Sequence, residues 1–149
     1  MKSDILQTGD YVKFREDFPD EHLRNKIATV YGVHGRVSVR TIDDNRYYDS
    51  EHPGWLEPVE LTREILDKNK EFVHYNVGVD DDLKEVHTYR YEIKNNEEVQ
   101  VTFVDEKPIY IRVCSENCGP IEFSNVDDMN INHLLHALKY CKIDLKIIV

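Results

Sequence analysis

Among the three cysteines and seven histidines of this 149-residue chain, two thiols and two imidazoles stand at spacings that could suit metal chemistry: Cys114 and Cys118 in "CSENCG", and His133 and His136 in "HLLHALKYCKI". A thiolate pair with two imidazoles is a donor set that tetrahedral Zn2+ takes. Cys114, Cys118, His133 and His136 therefore form a candidate zinc set. The C-x3-C spacing fits a structural zinc site, whereas H-x2-H falls short of the usual H-x3-5-H. The competing reading gives each residue an ordinary place. In it Cys114 ends a strand, Cys118-Gly119-Pro120 makes a turn, and the histidines pack on a helix or meet solvent. A cysteine-dependent enzyme needs a thiolate beside an imidazole that a third group orients. Cys141 lies two turns beyond His133 but on the apolar side of the same helix, where a cysteine acts as a small hydrophobe.

Two further groups suit binding rather than catalysis. Tyr47, Tyr48, His52 and Trp55 cluster around Pro53-Gly54, where they either line a recognition groove or fill the core of a small β module. In the helix expected over 129–141, Met129, His133, His136 and Tyr140 recur at i, i+4, i+7 and i+11. That row faces away from the apolar stripe of Ile131, Leu134, Leu135 and Leu138, which Cys141 extends. Asp127 or Asp128 is the expected N-cap. Asp80-Asp81-Asp82 lacks the ligand order of a calcium loop and reads as a solvated turn. Walker, dinucleotide-binding, G-x-S-x-G and H-E-x-x-H motifs are absent.

The elements that must position these residues read as mixed α and β structure. Short runs at 10–14, 26–33 and 36–42, punctuated by Gly32, Gly35 and Asp43-Asp44-Asn45, predict an SH3-like small β-barrel over 1–60. Pro58 suits an edge. A short helix follows, with Thr62 as N-cap, Ile65 and Leu66 inward, and Asn69 closing it in the left-handed region. Period-two runs at 71–77, 86–93, 98–104 and 108–114 predict an antiparallel meander, with Asn95-Asn96 at one hairpin. The alternation of Ile143, Leu145, Ile147 and Val149 predicts a terminal strand. The expected class is α+β: an SH3-like module at 1–60, then at 61–149 an antiparallel sheet packed by one main helix.

Charge narrows the function classes. The chain has 19 Lys and Arg against 29 Asp and Glu, a formal net charge of −10, and both halves are acidic. Nucleic-acid affinity rests on cations that neutralise phosphates, so direct binding of DNA or RNA is not expected, even with Arg36, Arg40 and Arg46 close in sequence. No apolar run is long enough to span a bilayer, and the chain opens without the basic and apolar regions of a secretory signal. A cytoplasmic location and free thiols rather than a disulfide framework are expected.

"LEPVELTREILDKNKEF" at 56–72 and "NINHLLHALKYCKIDLKIIV" at 130–149 resemble a group of small uncharacterised proteins of Bacteroidetes genomes, prophages and phages. Those proteins carry an I-P-L-T-x-E-I-L-x-K-N-G-F segment and end in K-Y-V-H-x-L-Q-H-x-L-x-x-x-G-I. The matching positions are Leu61, Thr62, Ile65, Leu66, Lys68, Asn69 and Phe72, then His133, Leu135, His136, Leu138 and Ile143. The group's glycine after Asn69 is Lys70-Glu71 here, and its helix-capping glycine is Lys142, which must either carry left-handed strain or end the helix differently. The resemblance implies architecture and a phage-related setting; it brings no activity.

The leading expectation is thus a non-catalytic interaction or accessory protein with a protein partner, which it binds through Tyr47, Tyr48 and Trp55 or through Met129, His133, His136 and Tyr140. A small zinc protein is the alternative and a cysteine enzyme the third reading. No cofactor is expected under the leading one.

Overall fold

The computed structural model describes residues 6–94, 96–116 and 118–149, and of Ser50 only the backbone. The chain divides into two compact units, Met1–Val59 and Glu60–Val149. Both are built on antiparallel sheets, and with one main helix in the second unit the class is α+β.

In the first unit, β1 (Tyr11–Phe14), β2 (Ile27–His34), β3 (Arg36–Thr41), β4 (Tyr47–Glu51) and β5 (Leu56–Pro58) form one sheet in the order β4-β3-β2-β1-β5. Alternation creates its core. Val12, Phe14, Ala28, Val30, Val37, Val39 and Leu56 all point to one face and are buried. Val12 sits opposite Ala28, Val30 opposite Val39, and Phe14 opposite Leu56. Burying a side chain of the size of Phe14 or Leu56 contributes about 1.5–3 kcal/mol. Phe18 closes over this face, edge-on to Phe14 at 4.9 Å and to Trp55 at 5.5 Å. Gly35 makes the β2–β3 turn at φ +79, a conformation that costs a residue with a Cβ. The sheet is open, not closed into a barrel. Its edge strand β5 is three residues long and ends on Pro58, which has no N–H for a second ladder.

The second unit begins with α1 (Arg63–Lys68), capped by the Thr62 hydroxyl, which accepts the Ile65 N–H at 3.2 Å. Then β6 (Val73–Val79), β7 (Glu85–Lys94), β8 (Glu97–Val104), β9 (Lys107–Ser115) and β10 (Cys118–Ser124) run as a five-stranded meander. The inner face is a ladder of paired residues: Tyr89, Val101 and Ile111 in one row, Val99 and Val113 in the next. At the β7–β8 hairpin Asn96 has φ +66; its expected companion Asn95 lies outside the described residues.

Several expectations need correction. Cys118-Gly119-Pro120 is not a turn but the start of β10, where a register shift between Cys118 and Ile121 absorbs Pro120 on an edge strand. The main helix α2 runs Ile131–Tyr140 rather than 129–141. Its cap is Asn130, not Asp127 or Asp128, because Asn130 and His133 satisfy each other's backbone N–H in a capping box. Buried positions on α2 are Ile131, Asn132, Leu134, Ala137 and Leu138, with Leu135 half-buried, so the inward stripe is rotated from the leucine count. Residues 143–149 do not form a strand, although Ile143 and Ile147 are buried. Asn69 closes α1 with extended backbone (φ −95) instead of the left-handed conformation. Lys142 does take the left-handed conformation, at φ +56.

Candidate functional site

The four expected zinc ligands are not brought together. Cys118 is joined to Cys141 by a disulfide that spans 23 positions of sequence, with Cα atoms 5.7 Å apart, and only Cys114 keeps a free thiol. This corrects the expectation of three free thiols. Cys141 does lie on the inward stripe of α2, but that stripe delivers it to the sheet where β10 brings Cys118. His133 is engaged locally: its Nδ1 accepts the Asn130 N–H at 3.1 Å and its ring stands edge-on to Phe123 at 5.2 Å. Burial pulls the His133 imidazole below its ordinary pKa, with a smaller contribution from the nearby charge of His136 and against the Asn130 hydrogen bond. Among the described residues, no group of three or more His, Cys, Asp or Glu side chains is gathered to hold a metal ion.

The expected binding residues separate in the same way. Tyr48 packs edge-to-face on Phe14 at 6.0 Å and Trp55 on Phe18, so both serve the core of the first unit. Tyr47 points outward, 59% exposed, with the Tyr31 ring 5.2 Å away and the Arg40 guanidinium over its face at 5.9 Å. The Tyr31 hydroxyl donates to Asp49. On the helix row, Met129 precedes α2 and is buried, His133 and His136 are half-buried, and Tyr140 is 69% exposed. The row is therefore not one exposed surface. The first unit also has a groove of about 510 Å3 beside Arg15, Asn25 and Glu57. Its charges largely pair among themselves, Lys13 with Glu57 at 2.9 Å and Arg15 with Asp17 at 3.0 Å.

A surface that sequence reasoning missed lies on β6. The period-two pattern at 71–77 predicts a half-buried strand, but Phe72 alone goes inward and all seven residues of β6 are exposed. Val73, Tyr75, Val77 and Val79 are each about half exposed or more, from 48% at Tyr75 to 60% at Val79, and Leu83 in the following turn is 81% exposed. β6 ends the sheet and its sequence, VHYNVGV, has no charged residue and no proline. Edge strands are usually blunted by such residues. The opposite edge, β10, shows the contrast with Pro120, Glu122 and a register shift. β6 has one irregularity, between Asn76 and Gly78, where the Asn76 side chain accepts the Gly78 N–H at 3.0 Å.

The same strand pair gathers a polar cluster. His74 Nε2 and His87 Nδ1 are 2.7 Å apart, and His87 Nε2 is 3.1 Å from a Glu85 carboxylate oxygen. His87 is buried and His74 exposed. The His74 ring stacks on Tyr89 at 4.6 Å and 10°. The Tyr89 hydroxyl donates to Asp67 at 2.9 Å and lies 3.5 Å from Nε of Arg63, whose Nη1 ion-pairs with Glu106. Burial leads in pushing the Tyr89 phenol above its ordinary pKa. The signal for this cluster was register: the turn at 80–84 sets His74 opposite Tyr89 and Asn76 opposite His87, which makes the two imidazoles diagonal neighbours.

No protein-family model matches the chain, and no curated protein matches it. Among the described residues, no helix is long and apolar enough to cross a membrane.

Proposed function

We propose that this chain is a non-catalytic interaction protein that takes up an extended segment of a partner protein as an added strand along β6. The observation that carries this reading is the uncharged, proline-free edge strand with Val73, Tyr75, Val77 and Val79 exposed. Main-chain hydrogen bonds along such an edge supply affinity, and alternate side chains supply choice of partner. Charge describes the partner further. Asp80, Asp81 and Asp82 follow β6 directly in a chain of net charge −10. The fitting segment is apolar at alternate positions and carries Lys or Arg at the end that meets those aspartates.

In this reading the first unit is an SH3-like module. Supporting this is its order of strands: a four-strand meander whose fifth strand returns beside β1 after a one-turn 3-10 helix at Pro53–Trp55. Tyr31 and Tyr47 with Arg40 offer a second contact patch there. An accessory role in a phage or prophage rests on the resemblance at 56–72 and 130–149.

The test is a short labelled peptide with valine at alternate positions and two lysines at its amino end, followed by fluorescence anisotropy. Antiparallel addition to β6 sets those lysines beside Asp80–Asp82. Binding is expected to weaken about tenfold or more, or 1.4 kcal/mol, in Tyr75→Lys and in Val77→Lys. Moving the lysines to the carboxyl end should weaken it too. Binding that ignores both β6 substitutions removes the reading.

A further inference from the structure

The imidazole pair between β6 and β7 has no part in strand addition, which uses the outer backbone of β6. We propose that His74 and His87 form a binding site for a divalent transition cation of the zinc type, held by His74 Nε2 and His87 Nδ1. Three features support it independently of each other. The two nitrogens already face one another at 2.7 Å. His87, buried on the inner face, offers its remaining ring nitrogen to Glu85 at 3.1 Å. A carboxylate behind a metal-binding imidazole fixes its tautomer and orientation and makes it a better donor. Finally, Tyr89 backs the His74 ring in a parallel stack, which limits how that ring can turn.

The fit asks for a parting of the rings and a turn of His74 within the plane of its Tyr89 stack, so that two nitrogens now aimed at each other converge on one point. A tetrahedral cation with nitrogen ligands at about 2.0–2.1 Å sets them roughly 3.3 Å apart, so the rings must part by about 0.6 Å. His74 supplies that movement, since its strand is exposed on a sheet edge while His87 is packed. In the metal-free state one proton lies between the facing nitrogens, with His87 holding its own N–H toward Glu85. On binding, the shared proton passes to Nδ1 of His74, both imidazoles bind as neutral ligands, and no net proton is released. Two protein donors leave the other positions to water. The site is accordingly an open one of modest affinity, unlike a closed four-ligand structural zinc site. The Glu85 carboxylate at the His87 ring favours a cation there, while across Tyr89 the charges of Asp67 and Arg63 offset one another.

The experiment is titration of the whole chain with ZnCl2, read by calorimetry and by the histidine ring protons in NMR. About one cation per chain is expected, with the largest shifts at His74 and His87. His74→Ala should weaken binding about tenfold or more while leaving the fold intact, since His74 is exposed; His87→Gln should do the same if it folds. Zinc should raise the melting temperature of the wild type and not of His74→Ala, as linkage requires. Cys114→Ser should bind like the wild type. No uptake at millimolar zinc, or uptake unchanged in His74→Ala, overturns the proposal.

Discussion

The side-chain amide of Asn69 binds the backbone of Ile148 in both directions: Oδ1 accepts the Ile148 N–H at 2.8 Å, and Nδ2 donates to the Ile148 carbonyl at 2.9 Å. An amide side chain has the same donor and acceptor pair as a peptide unit, so one asparagine does here what a partner strand would do. It thereby holds a tail that has no ladder of its own. The second Nδ2 proton goes to the Ile65 carbonyl at 2.7 Å, at the end of α1. Asn69 therefore joins α1 to the chain's last residues and is buried in doing so.

Asn69→Ala leaves the Ile148 N–H without its acceptor in a partly buried place. An unmet buried polar group costs about 1–3 kcal/mol, so a loss near the upper end is expected in urea unfolding. Asn69→Asp should be worse, since a carboxylate can accept from Ile148 N–H but cannot donate to either carbonyl. A loss under about 0.5 kcal/mol in Asn69→Ala, the scale of an ordinary surface change, would show that the tail is held by Ile143 and Ile147 alone.

The Cys118–Cys141 bond ties β10 to the end of α2 across 23 positions. Loop-closure entropy for a cross-link of that span gives about 3.5 kcal/mol of stability. Reduction, or Cys118→Ser, should lower unfolding stability by roughly that amount. Cys114→Ser should not mimic it. If non-reducing mass spectrometry of the purified chain shows three free thiols, the bond is not formed in solution.

Asp44 has a depressed carboxyl, at about 2, chiefly because the Thr41 hydroxyl donates to it and next because Lys26 does, against an opposing effect of burial. A carboxyl held below its ordinary value of 3.8 stabilises the fold above that value. The contribution fades as pH falls from there through about 2. Asp44→Asn should therefore be less stable than the wild type at neutral pH, with the gap closing over that interval. Thr41→Val should move the Asp44 titration, followed by NMR, up toward the ordinary range.

What could be read from the sequence follows from how local each feature is. Thr62 as a cap and the inward Val99, Val101 and Phe103 each depend on a few neighbouring residues, and the structure has both; of the two endings left open for the main helix, it takes the left-handed Lys142. Features that depend on pairing between distant segments were harder to see. β10 was hidden because Gly119 and Pro120 are turn formers locally, while an edge strand with a bulge tolerates both. The tail alternates like a strand yet finds only the Asn69 amide. The zinc reading failed to gather its ligands because the position of Cys118 in β10 leads it to Cys141. His74 and His87 lie far apart in sequence and meet only through the β6–β7 register.

His133 provides the last test, because its capping role requires one protonation state. Nδ1 accepts the Asn130 N–H and so carries no proton in that bond. The imidazole is held below its ordinary value of 6.5 chiefly by burial, against an opposing effect of the Asn130 hydrogen bond, with a smaller lowering from His136. Near pH 8 both folded and unfolded chains have this ring neutral, and its contribution is complete. As pH falls through about 6.5 the unfolded chain takes up the proton first, so stability declines until the lower folded value is passed. His133→Ala leaves the part-buried Asn130 N–H without its acceptor and should lose on the order of 1 kcal/mol near pH 8, and the gap to wild type should shrink under mild acid. His136→Gln removes the neighbouring charge and should raise the His133 titration in NMR while preserving the cap. A His133→Ala gap that stays constant from pH 8 to pH 5 would show that the ring contributes packing against Phe123 and no cap.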